Sequence, residues 1–276
     1  MSTATTDATA AALRSAPARV DSQPVSLARA VKSEWIKWRS LRSTWAVLGA
    51  AVVGMLAIGL VVGFNTRHLT GNQDANDLAS SAPLQGYFLG QLLIGALGVL
   101  FVSSEFSTGM IRSTFAAVPK RLPVLWAKLA VFFVITAVVM TTITVITFLA
   151  SQAVISQTRP GFSLSDPGVW RFVLGTSLYM VLAGVIGGMI AWMVRSTPGS
   201  LVSFFALIFV VPQLFSLFGS AGKHIAQFFP SQAGEAFTVA QPDAPHLSPT
   251  AGVLVLCAWA VAATVAAAVT LRRRDA

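Results

Sequence analysis

Six stretches of the chain are almost unbroken runs of apolar residues, at about 44–64, 84–104, 125–150, 170–194, 200–219 and 250–271. Each is close to the roughly 20 residues a helix needs to cross the hydrocarbon core of a bilayer. Charge touches them only near their ends, at Lys128 and Arg171. A mid-span Arg, Lys or Asp costs about 2.5–3.5 kcal/mol on insertion scales, so spans empty of central charge are what insertion favours. The pattern predicts an all-α, polytopic protein with six transmembrane helices spread over residues 25–276. The first 24 residues, rich in Ala, Ser and Thr, read as a disordered tail. Only Arg195-Ser196-Thr197-Pro198-Gly199 separates the fourth and fifth stretches. Pro198 cannot extend the hydrogen bonding of the helix before it, so a helical hairpin is expected there.

Composition supports burial in lipid. The chain is 55% hydrophobic and 11% charged, where a soluble domain carries about 25% charged residues. An ordinary water-facing surface is excluded. The formal charge of +9 would suit nucleic acid only if it were gathered on one soluble face, and it is instead sorted by loop. With a cytoplasmic amino terminus, fifteen basic residues fall on the cytoplasmic side and four, Arg67, Arg159, Arg171 and Lys223, on the other. That asymmetry is the positive-inside signal. It predicts a multi-pass membrane protein with both termini cytoplasmic, in contact with membrane lipid and not with nucleic acid. The first 43 residues lack the short apolar core and cleavage site of a secretory signal, so the first span is expected to serve as its own targeting signal. The single cysteine, Cys257, sits in an apolar run and leaves no means for an intrachain disulfide or a Cys-based metal cluster.

Two cytoplasmic segments stand out. Before the first span, Leu27, Val31, Trp35, Trp38, Leu41 and Trp45 recur at steps of three and four, with Arg29, Lys32 and Arg39 mostly on the other side. Such a helix can lie in the headgroup plane, Trp at the boundary and basic residues toward anionic lipid. It reads either as a simple basic anchor or as an elbow that braces a moving bundle. Between the second and third spans, Glu105 ends an otherwise apolar run. An acid at membrane depth is a functional candidate, whereas one at the interface is merely solvated, and the sequence allows both. Gly109 permits a sharp change of direction, and Pro119 halts any helix before it. Met110, Ile111 and Phe115 between them offer apolar knobs for a cytosolic partner.

Catalytic chemistry is sparse. The only Gly-Lys pair, Gly222-Lys223, is followed by His224 and does not form a phosphate-cradling loop. His68, His224 and His246 fall in external loops, no Asp lies inside a span, and no H-E-x-x-H occurs. Small residues four apart, Gly59 with Gly63, Gly86 with Gly90 and Gly184 with Gly188, permit close helix approach within one bundle or between subunits. The third-span threonines serve their own helix backbone or a polar lining. The apolar Ile225-to-Pro230 stretch of the last external segment suits a short re-entrant or surface helix as well as a loop.

These residues carry a resemblance. Glu105-Phe106-x-x-Gly109-Met110-Ile111-Arg112, followed by Pro119-x-Arg121 and Lys128, resembles the cytoplasmic signature of ABC-2 type exporter permeases, especially the six-span form of actinobacteria. Ser33-Glu34-Trp35-x-Lys37-x-Arg39-Ser40-Leu41-Arg42-Ser43-Thr44-Trp45 is similar to that form's approach to its first span, and Phe228-Phe229-Pro230-Ser231-x-Ala233-Gly234 to its last external loop. The similarity runs from about residue 30 to the end. It implies an ABC-2 type transmembrane domain over 25–276, paired with a second permease copy and driven by separate ABC ATP-binding subunits that carry ATP and Mg. No cofactor is implied for this chain. The stretch from Glu105 to Arg121 would include the coupling helix, with Glu105, Gly109, Arg112, Pro119 and Arg121 on matching positions and Lys120 their neighbour. Leu27, Val31, Trp35 and Trp38 would form the membrane-interface elbow. Met110 stands where Thr is frequent, so no role of a hydroxyl carries over, and neither does any substrate residue. The implied function is export of a hydrophobic or amphipathic substrate. A partner-binding scaffold or immunity protein and an ion-coupled secondary transporter are the alternatives, the latter disfavoured by the absence of a mid-depth acid.

Overall fold

The computed structural model of the chain describes residues 26–66, 81–118, 121–158, 160–240 and 245–273, and these are helical with no β-strand. The elements run α1 (Leu27–Ser40), α2 (Arg42–Thr66), a 3-10 turn (Ala82–Leu84), α3 (Tyr87–Ser107), α4 (Met110–Ala117), α5 (Leu122–Ile155) and α6 (Val169–Val194). They continue with α7 (Thr197–Phe205), a π segment (Ala206–Val210), α8 (Val211–Ser216), α9 (Gly219–Ala226), α10 (Pro230–Thr238) and α11 (Pro249–Arg273). Among the described residues, six helical rods are long and apolar enough to cross a membrane: α2, α3, α5, α6, the α7–π–α8 rod and α11. Closing every backbone bond within a helix is what lets such rods stand in lipid.

The core is built around α6, which packs against α3, α5, α7, α10 and α11 and is buried over most of its length. Its closest partner is α3. The reason is the absence of side chains where the two cross: a Cβ at Gly98 would overlap the carbonyl oxygen of Gly184, and one at Gly187 would come within 2.5 Å of the Gly95 carbonyl oxygen. The backbones are in contact there, as small-residue packing in membranes allows. A Cβ at Gly59 would strike the 3-10 turn at Pro83, and one at Gly63 would press on Ser151 of α5. A Cβ at Gly86 would come within 2.7 Å of the Met55 carbonyl oxygen, so all three pairs noted in the sequence have members that pack inside this chain.

Several expectations are refined. The third span is longer than 125–150, because Pro123 sits in the first turn of α5, where a missing N–H costs nothing. Thr136 and Thr144 donate to the carbonyls of Phe132 and Met140 in their own helix, so these two do not line a path. The hairpin forms at the expected place: Arg195, at φ 58°, caps α6 in the left-handed region, and α7 begins two residues later with Pro198 in its first turn. The fifth span differs most. Pro212 cannot donate a hydrogen bond, and the helix accommodates it by widening into the π segment just before it, where the Val211 N–H reaches back to the Ala206 carbonyl. Where the sequence allowed either a loop or a short helix, the chain forms both α9 and α10. The second tucks Ala233, Gly234, Ala236 and Phe237 against α6 and α11.

Candidate functional site

Helix α1 lies across one end of the bundle and packs on α5. It starts where the Ser26 side chain accepts the Arg29 N–H, and it ends at the extended Leu41, which turns the chain into α2. Lys37 and Arg39 occupy its last turn, where positive charge complements the helix dipole. Its inward face is Ala30, Glu34 and Trp38. The sequence placed Leu27, Val31, Trp35 and Trp38 together on a lipid-facing stripe. That expectation is corrected: Trp38 is fully buried, Val31 is half-buried, and only Leu27 and Trp35 stand out from the bundle. Trp38 is held edge-on by Phe101 of α3, at 5.0 Å between ring centres, and by Phe132 of α5, at 6.0 Å.

Beside this indole four charges meet. Lys128, on the second turn of α5, places its Nζ 2.7 Å from Glu105 Oε1 and 2.6 Å from Glu34 Oε2, and 4.2 Å from the centre of the Phe101 ring. Lys37 Nζ donates to Glu34 Oε1 at 2.7 Å and to Glu105 Oε1 at 2.8 Å. Glu34, Glu105 and Lys128 are each only 2% exposed, and Lys37 closes the cluster toward its open side. Formal charge cancels, two against two, which is what permits burial. The Lys128–Glu34 approach is an ion pair, and Glu105 Oε2 accepts no hydrogen bond among the described residues. Of the two readings open for Glu105, the solvated one is overturned: its carboxylate is enclosed and joins three helices.

For Lys37, burial by itself would lower the ammonium's pKa, but hydrogen bonds and charge from Glu105 and Glu34 outweigh it and hold the group above its ordinary 10.5. A raised pKa means the stabilisation is complete below 10.5 and is lost only as pH climbs through the higher folded value. The expected outcome is that the melting temperature of Lys37→Met trails the parent by a constant gap from about pH 7 to 9, and that this gap closes only under stronger alkali. Melting curves across that range check it.

A second assembly adjoins the first. Gly109, at φ 73°, reverses the chain after α3 and starts α4. Phe115 of α4 stacks on Trp192 of α6 at 6.5 Å, and Phe106 meets the same indole edge-on at 5.6 Å. The Arg121 guanidinium lies 5.3 Å over Phe115, and that of Arg195 lies 5.7 Å over Phe106. Arg121 also donates to the Leu271 carbonyl at 3.5 Å, tying in α11. Here the sequence expectation of three outward knobs is corrected: Ile111 and Phe115 are buried inside the chain, and of the three only Met110 is exposed, alongside Arg112. Pro119 and Lys120 lie outside the described residues.

The structure thus brings Glu105, Trp38 and the α1 face together, and it places Gly109 and Arg112 on the α4 hairpin and Arg121 at the start of α5. Sequence reasoning gave no site role to Glu34, Lys37 or Lys128. The available signal was the helical offset of Glu34, four residues before Trp38, which puts both on one face.

Six apolar rods with a buried, charge-neutral cluster at one end define a multi-pass membrane protein, with α1 and α4 tied to its core. A family model described as ABC-2 family transporter protein matches residues 30–219, and the chain belongs to this family, the membrane permeases of ABC transporters. No curated relative matches the chain.

Proposed function

We propose that the chain is the permease half of an ATP-driven exporter: two copies form the membrane path, and separate ATP-binding subunits dock beneath them. The observation that carries this reading is the Glu34–Lys37–Glu105–Lys128 cluster, which fastens α1 to the ends of α3 and α5 next to the α4 hairpin. A push on the exposed side of α4, at Met110 and Arg112, would pass through Phe115 and Trp192 into α6 and through Glu105 into α1 and α5. Bundles joined in this way move together and do not deform one by one. The sorted basic residues support cytoplasmic termini, which puts this end of the bundle on the side where ATP is found. The substrate class in this reading is hydrophobic or amphipathic, in keeping with a path bounded by apolar helices.

Co-expression with an ABC ATP-binding subunit and purification in mild detergent test the docking. The subunit is expected to co-purify with the parent chain and to be lost when the exposed face of α4 is changed by Met110→Glu with Arg112→Glu. Glu105→Ala leaves buried Lys128 short of a partner and so lowers stability, but in protein that still inserts and co-purifies, ATP hydrolysis is expected to continue while ATP-dependent transport falls. Unchanged coupled transport in Glu105→Ala would remove the coupling role.

A further inference from the structure

We propose that the groove between the first turns of α6 and α11 is a docking site for one anionic phospholipid, with Arg171 holding its phosphate. The walls of the groove are Leu174 and Leu178 of α6 and Val253 and Leu254 of α11, and its floor is Phe237 of α10. Arg171 lies 21 residues along α6 from Trp192, the ring that packs on α4, so the mouth of the groove is about 32 Å from that end of the bundle. In the orientation proposed above the mouth opens in the outer leaflet, and in that one respect the inference rests on the preceding reading.

Backbone contacts set the floor. A Cβ at Gly175 of α6 would come within 2.9 Å of the Phe237 carbonyl oxygen, and one at Gly252 of α11 within 2.5 Å of the Ala233 carbonyl oxygen, so both helices lie flush on α10. Phe237 sits between them and is buried. The walls follow from helical spacing. Trp170, Leu174 and Leu178 recur every four residues and form one stripe of α6. Over that stripe the helix rises about 12 Å, most of the roughly 15 Å in half a hydrocarbon core. Leu174 and Leu254 stand exposed on the two sides, as groups that face an acyl chain would.

Charge selects the occupant. Arg171 is the one formally charged side chain in the lining among the described residues, and it is exposed at the mouth beside Trp170. Its guanidinium lies 4.5 Å from the centre of the Phe172 ring, and no carboxylate of the described residues pairs with it. A ring contact leaves the guanidinium's fork of N–H donors for a phosphate, which it can grip by two bonds. Trp170 suits the same depth, since indoles collect where headgroups meet hydrocarbon. A zwitterionic head would bring a second cation to Arg171. A membrane helix seated in the groove would leave Arg171 unanswered unless it carried an acid at that depth. A lipid of net negative charge answers the apolar walls and the cation at once.

Native mass spectrometry of the purified full chain in detergent tests this, with titrations of phosphatidylglycerol and of phosphatidylcholine carrying the same acyl chains. One phosphatidylglycerol is expected to be retained, about fivefold or more tightly than phosphatidylcholine. Arg171→Gln is expected to erase that preference, and Lys223→Gln, which removes an exposed cation on the same side, to keep it. Leu174→Trp with Leu254→Trp fills the groove from its two exposed walls and is expected to weaken phosphatidylglycerol binding although Arg171 is intact. Thermal unfolding in the same detergent identifies any loss of fold. Equal binding of the two lipids by the folded parent, a parent-like preference in Arg171→Gln, an equal loss in Lys223→Gln, parent-like binding by the folded tryptophan variant, or displacement of the lipid by equimolar glycerol phosphate would each overturn the assignment. Loss of a dimer in the tryptophan variant with lipid still retained would give the groove to a second copy and overturn it too. The assay uses no ATP-binding subunit and no membrane orientation, so its failure leaves the coupling reading standing, and the failure of coupling leaves this one standing.

Discussion

Replacing Lys128 with Met is expected to lower stability by about 3–5 kcal/mol, because it removes one partner of a buried pair and leaves carboxylates enclosed without compensation. For a chain of this size that corresponds to a fall in melting temperature on the order of 10 °C. The Lys128 side chain is 2% exposed and holds both Glu34 and Glu105. The complementary variant neutralises all four members, with Lys37→Met, Lys128→Met, Glu34→Gln and Glu105→Gln. It is expected to recover much of the lost stability, since a buried ion pair is often no better than an apolar replacement of its shape. It is not expected to recover ATP-driven transport, because the groups that tie α1 to α3 are gone. Thermal unfolding in detergent, set beside transport, separates the two effects. A single Lys128→Met variant as stable as the parent would mean that the cluster is solvated in the membrane.

The second large effect lies at the crossing of α3 and α6. Gly98→Ala places a Cβ into the Gly184 carbonyl oxygen, and neither atom can swing away because both belong to the backbone. Overpacking usually costs about 1–3 kcal/mol, and this contact should reach the upper end or beyond. Gly98→Leu should give a chain that inserts and fails to pack, seen as loss of monodisperse protein in size-exclusion chromatography. Gly49→Ala is the control, as nothing lies within 4 Å of its added Cβ, and it should behave as the parent does. Equal tolerance at positions 98 and 49 would contradict the crossing.

The spans were legible because an apolar helix in lipid leaves its mark in every residue, whatever packs against it. Their number and the hairpin at Pro198 followed from composition and one proline. Glu105 drew attention as a lone acid at the end of such a run. Its pairing with Lys128 and Lys37 did not, although both stood in the quoted motifs, since they are 23 and 68 residues away and nothing local marks a pairing over that distance. The elbow misled for a related reason. Trp35 and Trp38 have the same side chain and sit three residues apart, but one is 46% exposed and the other fully buried. The difference depends on which side of α1 meets α5, and Glu34, an acid, decides it by binding Lys128. The apolar spacing that grouped the two tryptophans carries no mark of that contact. The π segment was hidden similarly, because Pro212 announces a disturbance without saying whether the helix will kink, break or widen.

The central claim is that the ion cluster carries motion from the nucleotide-driven subunit into the bundle. The chain's single cysteine, Cys257, can be changed to Ser, which frees two new cysteines for spin labels: at Ser33 on the exposed side of α1 and at Leu217 at the far end of the fifth span. Distances between them, measured by pulsed electron resonance in the complex with its ATP-binding subunit, are expected to shift on addition of ATP in the parent and to stay fixed in Glu105→Ala. The same ATP-dependent shift in both proteins would show that force bypasses the cluster and would contradict the account.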